Sequence, residues 1–195
     1  MIYLKQKVMA QNKENVLTIG LSGSIARLLT FRQSAGKTVV SKKRRSTPAS
    51  QSDKAVAVRA KFSSSIAYAK IAIKDPANKA YYKSKAAIGQ SAFNMAFSDA
   101  FTPPEVNHID TANYHGAGAD TITIQATDQF KVVTVKVSIR GNDGTILEEG
   151  FAVQQANTVD WLYTAKSANA SLAGSRISAV ATDLPGNTHS LDVTL

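Results

Sequence analysis

The densest group of chemically distinctive side chains is a basic segment near the N-terminus. Its members lie between positions 27 and 45 and are Arg27, Arg32, Lys37, Lys42, Lys43, Arg44 and Arg45. A cation that neutralises a phosphate releases a condensed counterion, so this segment predicts salt-sensitive binding of a polyanion such as nucleic acid. Phe31 offers a stacking face beside Arg32. The alternative is a solvated hairpin flanked by basic side chains, because basic runs are weak motifs.

The residue types needed for catalysis do not form a recognisable pattern. His108, His115 and His189 show no helical pairing, and no serine sits in a nucleophile elbow. Gly36-Lys-Thr38 matches the end of a Walker loop, but Phe31 occupies the position of its first glycine. The chain has no cysteine, which excludes thiolate and zinc–thiolate chemistry. We therefore predict no catalytic residues, no cofactor and no enzymatic activity.

Several oxygen-bearing side chains fall near the ends of predicted strands, where some immunoglobulin-like modules bind Ca²⁺. They are Asp110, Asp120, Asp128, Asp183 and Asn187. No dedicated calcium-loop spacing accompanies them. Turn chemistry alone accounts for Asp183-x-Pro-Gly-Asn187. The sequence thus predicts no metal site.

Charge divides the chain into two unlike halves. Residues 1–102 contain 18 Lys/Arg and 4 Asp/Glu, a net charge of +14, whereas residues 103–195 contain 5 and 10, a net charge of −5. Such asymmetry indicates modules with different partners. Three explanations remain open: a polyanionic partner, head-to-tail self-association of basic and acidic halves, and solubility.

The first half is predicted to hold an extended arm and then helices. Residues 1–49 form a basic arm with a β-hairpin that turns at Ser34-Ala-Gly36. Residues 50–102 form three short helices. A capping box at Ser50 and Asp53 begins the first, Asp75-Pro76 separates the first two, and Gly89 ends the second just after Ile88. One apolar stripe is expected on the first helix, formed by Val58, Phe62, Ile66, Ala69 and Ile73.

After Pro103-Pro104 the apolar spacing changes from a helical period to a period of two. Val133 to Ile139 alternates strictly with polar residues, as in a half-buried strand. About seven such strands fit into residues 103–195, with a turn at Gly141–Gly144. This count and spacing predict an immunoglobulin-like antiparallel β-sandwich of the fibronectin-like or bacterial type.

Several motifs resemble an uncharacterised protein family of Bacteroidota genomes. In the first half they are Gly20-Leu-Ser-Gly23, Phe31-Arg-Gln, Gly36-Lys-Thr-Val-Val-Ser41, Val58-Arg, Ala67-Tyr-Ala-Lys70 and Asp75-Pro. The second half is similar to immunoglobulin-like tails of such proteins, through Tyr114-His-Gly116, Asp143-Gly144, Glu149-Gly150, Trp161 and Asp183-x-Pro-Gly-Asn187. The resemblance implies lineage and an immunoglobulin-like tail, and it implies no activity or functional residues.

Together these features predict an α+β protein that is structural rather than enzymatic. The immunoglobulin-like module is displayed while the basic N-terminal region docks to a partner or to neighbouring copies, so a homo-oligomer or protein assembly is expected. The alternatives are a nucleic-acid-associated phage or mobile-element protein and a carbohydrate- or protein-binding adhesin. No apolar stretch is long enough for a membrane span. Polar residues after Lys5 and Lys7 argue against a secretory signal, so we expect a cytoplasmic protein or one exported by another route.

Overall fold

The computed structural model describes residues 10–12, 18–26, 28–34, 36–42 and 52–195. The chain divides into two compact units, residues 1–52 and residues 53–195. The second unit contains three helices together with two antiparallel sheets, so the protein is α+β.

The first unit contains a four-stranded antiparallel sheet. Its strands are β1 (Ala10–Asn12), β2 (Gly23–Ile25), β3 (Leu29–Ser34) and β4 (Lys37–Lys42), in the spatial order β1-β4-β3-β2. Ser34 pairs with Lys37, so β3 turns directly into β4, and Gly36 takes the positive φ that such a tight turn requires. Thr38 is buried, and its hydroxyl accepts hydrogen bonds from Gly20 N and Gln33 Nε2. These bonds hold the 18–21 turn against the sheet.

Three helices begin the second unit: α1 (Asp53–Ala72), α2 (Pro76–Ser84) and α3 (Ala92–Phe101). The Asp75 carboxylate accepts from the amides of Ala77 and Asn78 and caps α2, as the sequence predicts. Ser91 caps α3 through the amide of Asn94. Within the described residues, none of the helices is both long and apolar enough to cross a membrane.

Two details of the helices differ from expectation. Helix α2 ends at Ser84, and Ile88 lies fully exposed in the following loop, although Ala86 of the same loop still packs against the helices. On α1 the buried positions are Ser65, Ala69 and Ala72, whereas Val58 is about half exposed. The predicted stripe is covered from Phe62 onward. Phe62 packs edge-on against Phe97 of α3, with the ring centroids 4.9 Å apart, and Ala69 and Ile73 pack with residues of the other helices. The predicted cap Ser50 lies outside the described residues, and Asp53 is itself the first helical residue.

Eight strands follow, and their alternation of buried and exposed residues matches the predicted period of two. They are β5 (Glu105–Asp110), β6 (Thr121–Thr127), β7 (Val132–Arg140), β8 (Ile146–Phe151), β9 (Val153–Gln154), β10 (Asp160–Thr164), β11 (Arg176–Asp183) and β12 (Thr188–Thr194). They form two four-stranded antiparallel sheets, ordered β5-β6-β10-β9 and β12-β11-β7-β8.

The two sheets share one apolar core, which makes the arrangement sandwich-like. One sheet contributes Ile122, Ile124 and Trp161, and the other contributes Val137 and Ile177, all at most 5% exposed. Burial of such side chains is worth about 1.5–3 kcal/mol each, so this core is the main source of stability in the unit. A smaller cluster joins the helices, and the ring of Phe130, from the β6–β7 loop, packs against it.

A close contact at Gly116 provides a test of the sandwich geometry. Gly116 and Gly144 both have positive φ, but only at Gly116 would a Cβ meet a backbone atom, the carbonyl oxygen of Asn169 at 2.6 Å. Gly144→Ala should cost about 1–2 kcal/mol from backbone strain alone. Gly116→Ala should lower the free energy of unfolding by roughly 2 kcal/mol more, because a backbone atom must also move. Chemical denaturation of both variants checks this, and equal losses would contradict the packing.

Candidate functional site

The predicted polyanion-binding residues fall partly outside the described part of the chain. Arg27, Lys43, Arg44 and Arg45 are not described. Arg32, Lys37 and Lys42 are exposed on the β3–β4 pair.

Strand register places these three cations on both faces of the first sheet. Arg32 pairs with Val39, and Lys37 pairs with Ser34 two positions further along the same face. Lys42 pairs with Leu29 on the opposite face, because side chains alternate along a strand. The described cations therefore do not form a single flat patch, and polyanion binding stays a prediction that rests on the whole basic segment.

Exposed apolar side chains concentrate along one edge of the sandwich. We call residues 146–153 the apolar edge; its exposed large side chains are Ile146, Leu147, Phe151 and Val153. Phe151 and Val153 are about two-thirds exposed, at 67% and 68%. Both β8 and β9 are end strands of their sheets, so their outer backbone groups have no sheet partner among the described residues. An exposed apolar end strand is a ready template for pairing with another chain.

The glutamates of the apolar edge are engaged within the sandwich. Glu148 Oε2 accepts hydrogen bonds from the backbone amides of Lys166 and Ser167, at 2.9 and 2.8 Å. Glu149 Oε2 lies 2.6 Å from Lys136 Nζ, and its other oxygen accepts from the Ser138 hydroxyl. Phe151 is paired with Lys136 in the strand register. The edge is therefore apolar with an ordered acidic border.

A second site lies where the helices meet the loops of the sandwich. The carboxylates of Asp99, Asp128 and Asp183 each bring one oxygen to within 4.8 Å of the other two, and we call this group the carboxylate cluster. Asp99 lies on α3, Asp128 lies in the β6–β7 loop, and Asp183 ends β11. Asp99 and Asp183 are only 1% and 3% exposed.

Hydrogen bonds fix each member of the carboxylate cluster. The Tyr82 hydroxyl donates to Asp99 Oδ2 at 2.6 Å, and the Tyr68 hydroxyl lies 3.0 Å from that of Tyr82. Because the Tyr82 hydroxyl uses its only hydrogen in the bond to Asp99, the Tyr68 hydroxyl is the donor in its bond to Tyr82. Asp128 Oδ1 accepts from the amides of Phe130 and Lys131, at 2.6 and 2.9 Å.

Asn187 joins the turn after β11 to the end of α3. Its backbone amide donates to Asp183 Oδ1 at 2.6 Å, and its side-chain amide donates to Asp183 Oδ2 at 2.7 Å. The same Nδ2 also reaches the carbonyl oxygens of Asp99 and Ala100, at 3.4 and 3.3 Å. Those carbonyls belong to the last turn of α3, where four carbonyls lack helical partners. One side chain thus caps a helix and orients a carboxylate.

Burial dominates the ionisation of the carboxylate cluster. Desolvation raises the pKa of Asp99 to about 6, aided by the negative charges of Asp128 and Asp183 and opposed by the hydrogen bond from Tyr82. Burial also raises the pKa of Asp183, against the bonds from Asn187 that favour its charged form. The pKa of Tyr82 is raised by burial and then by its bond to Asp99, so Tyr82 stays a proton donor.

The sequence placed Asp128, Asp183 and Asn187 among oxygen-bearing residues near strand ends, but it did not connect them to Asp99. Asp99 occupies an ordinary helix position, and only its spacing of four from Met95, another buried residue of α3, places it on the inner face. Asp110 and Asp120 accept backbone hydrogen bonds within their own loops. His189 Nδ1 accepts from the amide of Val106 and ties β12 to β5.

Comparison with known proteins identifies no family. No protein-family model matches the chain, and no curated protein matches it significantly. Among solved structures, the chain is similar to the crystal structure of an engineered protein, at 14% identity and a TM-score of 0.33. The match covers 55% of this chain and 29% of that one, so the chain spans less than a third of that structure. A likeness this low gives no information about function.

The buried Asp99 carboxyl predicts a distinct pH dependence of stability. The pKa of Asp99 is about 6 in the folded protein, against an ordinary value of 3.8. Between pH 3.8 and pH 6 the folded state therefore keeps a proton on Asp99 that the unfolded state has released. The resulting stabilisation is complete below pH 3.8 and is lost as the pH rises through 6.

We expect the Asp99→Asn substitution to remove this loss of stability at higher pH. In buffer without divalent cations the variant should be more stable than the wild type at pH 7.5 by roughly 1–3 kcal/mol, because a neutral amide replaces a buried charge. Chemical denaturation of both proteins between about pH 4 and about pH 7.5 measures the difference. A difference that stays constant with pH would show that Asp99 does not titrate in this range.

Proposed function

We propose that this chain is a non-enzymatic assembly protein whose sandwich is an immunoglobulin-like module. Strand order supports the module. If β5, β6, β7, β8, β9, β10, β11 and β12 are lettered A, B, C, C′, D, E, F and G, the two sheets are A-B-E-D and C′-C-F-G. This is the order of immunoglobulin-like sandwiches, in which the chain passes repeatedly between the two sheets.

The observation that carries the assembly proposal is the apolar edge. Four large apolar side chains are exposed within eight consecutive positions, on strands whose outer backbone groups are unpaired. Large apolar side chains exposed on the end strands of a sheet favour contact with another macromolecule. A strand from another chain can add to such an edge, with main-chain hydrogen bonds providing affinity and apolar side chains providing contact area.

The partner we propose is the first unit of a second copy. Residues 1–52 contain ten Lys/Arg and one glutamate, whereas residues 103–195 carry a net charge of −5. The first unit also exposes apolar side chains of its own, among them Ile19, Ile25 and Leu28. The first unit and the sandwich therefore both expose apolar side chains, and their net charges are opposite in sign. Contact between the basic unit of one copy and the acidic module of the next is heterologous and generates a ring or a filament.

Phe151→Asp tests the apolar edge. Burial of a phenylalanine side chain is worth about 1.5–3 kcal/mol, so the variant should weaken self-association by about tenfold or more. Light scattering coupled to size-exclusion chromatography, over a series of concentrations, measures the change. Ile88→Asp is the matched control, because it adds the same charge at an exposed isoleucine in the α2–α3 loop. A wild type that remains monomeric at high concentration, or equal weakening by both substitutions, would contradict the proposal.

The charge of the basic segment provides a second test. Self-association should weaken between about 50 mM and about 500 mM NaCl, because salt screens attraction between exposed charges. Combined Lys42, Lys43, Arg44 and Arg45→Ala substitutions should reduce both the association and its salt dependence. A control with four exposed lysines of the helical region replaced, Lys70, Lys74, Lys79 and Lys83→Ala, loses equal charge elsewhere and should change the association less.

The same variants separate assembly from nucleic-acid binding. Salt-sensitive binding of duplex or single-stranded oligonucleotides that is lost on substitution of residues 42–45, and unaffected by Phe151→Asp, would favour the nucleic-acid hypothesis. Glycan binding by the wild type that Phe151→Asp abolishes would favour the adhesin hypothesis.

A further inference from the structure

The carboxylate cluster brings together three acidic side chains that are distant in sequence. Asp99, Asp128 and Asp183 come from a helix, from a loop and from the end of a strand, and they meet within 4.8 Å. Two of them are almost completely buried. Like charges at this separation repel each other strongly when water is excluded, so the arrangement favours either a bound proton or a compensating positive charge.

No protein cation provides that charge in the part of the chain that the structure describes. The ion pairs there join Lys136 to Glu149 and Arg176 to Asp192, on the outer surface of the sandwich. Buried carboxylates in proteins are normally paired with a cationic side chain or bound to a metal.

Two oxygens of the carboxylate cluster also lack a hydrogen-bond donor. Asp99 Oδ1 and Asp128 Oδ2 are shielded from solvent, and no described protein group donates to either. The remaining oxygens are occupied, by Tyr82 at Asp99, by loop amides at Asp128 and by Asn187 at Asp183. A buried unpartnered acceptor is rare in folded proteins. These two atoms therefore indicate a ligand by an observation separate from the clustering of charge.

We propose that Asp99, Asp128 and Asp183 bind a Ca²⁺ ion that joins the helices to the sandwich. Calcium takes oxygen ligands at about 2.3–2.6 Å, so two ligands on opposite sides of the ion are up to about 5 Å apart. The observed limit of 4.8 Å lies within that range. Magnesium requires shorter bonds in a strict octahedron, which three carboxylates fixed on separate elements are poorly suited to provide.

Two surface depressions lie next to the carboxylate cluster. Asp128 is half-buried and also lines an open depression of about 390 Å³. Lys85 and Lys131 line the same depression, and the Lys85 ammonium lies over the ring of Tyr81, 5.8 Å from its centroid. On the other side, Asn187 lines a smaller depression of about 170 Å³ beside α1. The two depressions therefore border the carboxylate cluster through Asp128 on one side and through Asn187 on the other.

Calorimetric titration of CaCl₂ into the full chain, previously stripped with EDTA, tests the site. We expect one ion per chain, with affinity reduced about tenfold or more in Asp99→Asn and in Asp128→Asn, because each variant loses a charged ligand. Asp143→Asn is the matched control, since that carboxylate lies exposed in the 141–144 turn and should leave the affinity unchanged. Asp128→Asn keeps the test valid if Asp99→Asn does not fold.

Two further measurements use the same proteins. Calcium should raise the melting temperature of the wild type and of Asp143→Asn, but should have little effect on the two cluster variants, because a ligand stabilises only the state that binds it. Terbium in place of calcium should give luminescence sensitised by the nearby Tyr82.

Three outcomes would overturn the proposal. The first is no heat and no calcium-dependent melting shift in the wild type, which would mean that protons alone neutralise the carboxylates. The second is an equal response in Asp99→Asn, Asp128→Asn and Asp143→Asn, which would mean non-specific binding. The third is tighter binding of Mg²⁺ than of Ca²⁺, which would overturn the choice of ion. The test does not depend on self-association, because Phe151→Asp leaves the carboxylate cluster intact.

Discussion

Hydrogen bonding at three clustered carboxylates is the constraint that fixes how the helices meet the sandwich in the second unit of this protein. Asp99, Asp128 and Asp183 lie where α3 meets two loops of the sandwich, and each is held by hydrogen bonds from neighbouring groups. The apolar packing between the helices and Phe130 could form without acidic side chains at these positions. Any relative movement of α3 and the loops would change these bonds together, so the polar junction selects one orientation even though it contributes little net stability.

Stability and orientation therefore come from different parts of the unit. The sandwich core is built from residues of both sheets and contains no helix residue, whereas the helical cluster contains α1, α2 and α3 residues and contacts the sandwich through Phe130. Phe130 lies two positions after Asp128, and its backbone amide donates a hydrogen bond to the Asp128 carboxylate. The apolar anchor and one member of the carboxylate cluster are thus fixed by the same short turn, which links packing of the helices directly to the polar junction.

The sequence predicted the strands well and the site poorly, for identifiable reasons. Apolar and polar residues alternate from Val133 to Ile139, which directly indicates a half-buried strand. Successive side chains of a strand point to opposite faces of the sheet, so burial alternates with the same period of two. The stripe on α1 is only partly correct, because Val58 has helical spacing but is about half exposed among the residues that the structure describes. Asp99 carries no local signal, since its burial results from tertiary contacts with Tyr82 and Asn187, 17 and 88 positions away.

Under the assembly proposal, an end strand that contains two glutamates must serve as a contact surface, and the hydrogen bonds of those glutamates make this compatible with the fold. Charged residues on end strands normally prevent pairing between molecules. Here Glu148 is held by two amides of its own chain and Glu149 by Lys136, so both charges are partly neutralised before a partner arrives. Phe151 and Val153 then lie exposed beside an ordered acidic border rather than among mobile charges. The preference for a basic partner then comes from the net charge of −5 on residues 103–195, and the proposed partner, the first unit of another copy, is basic.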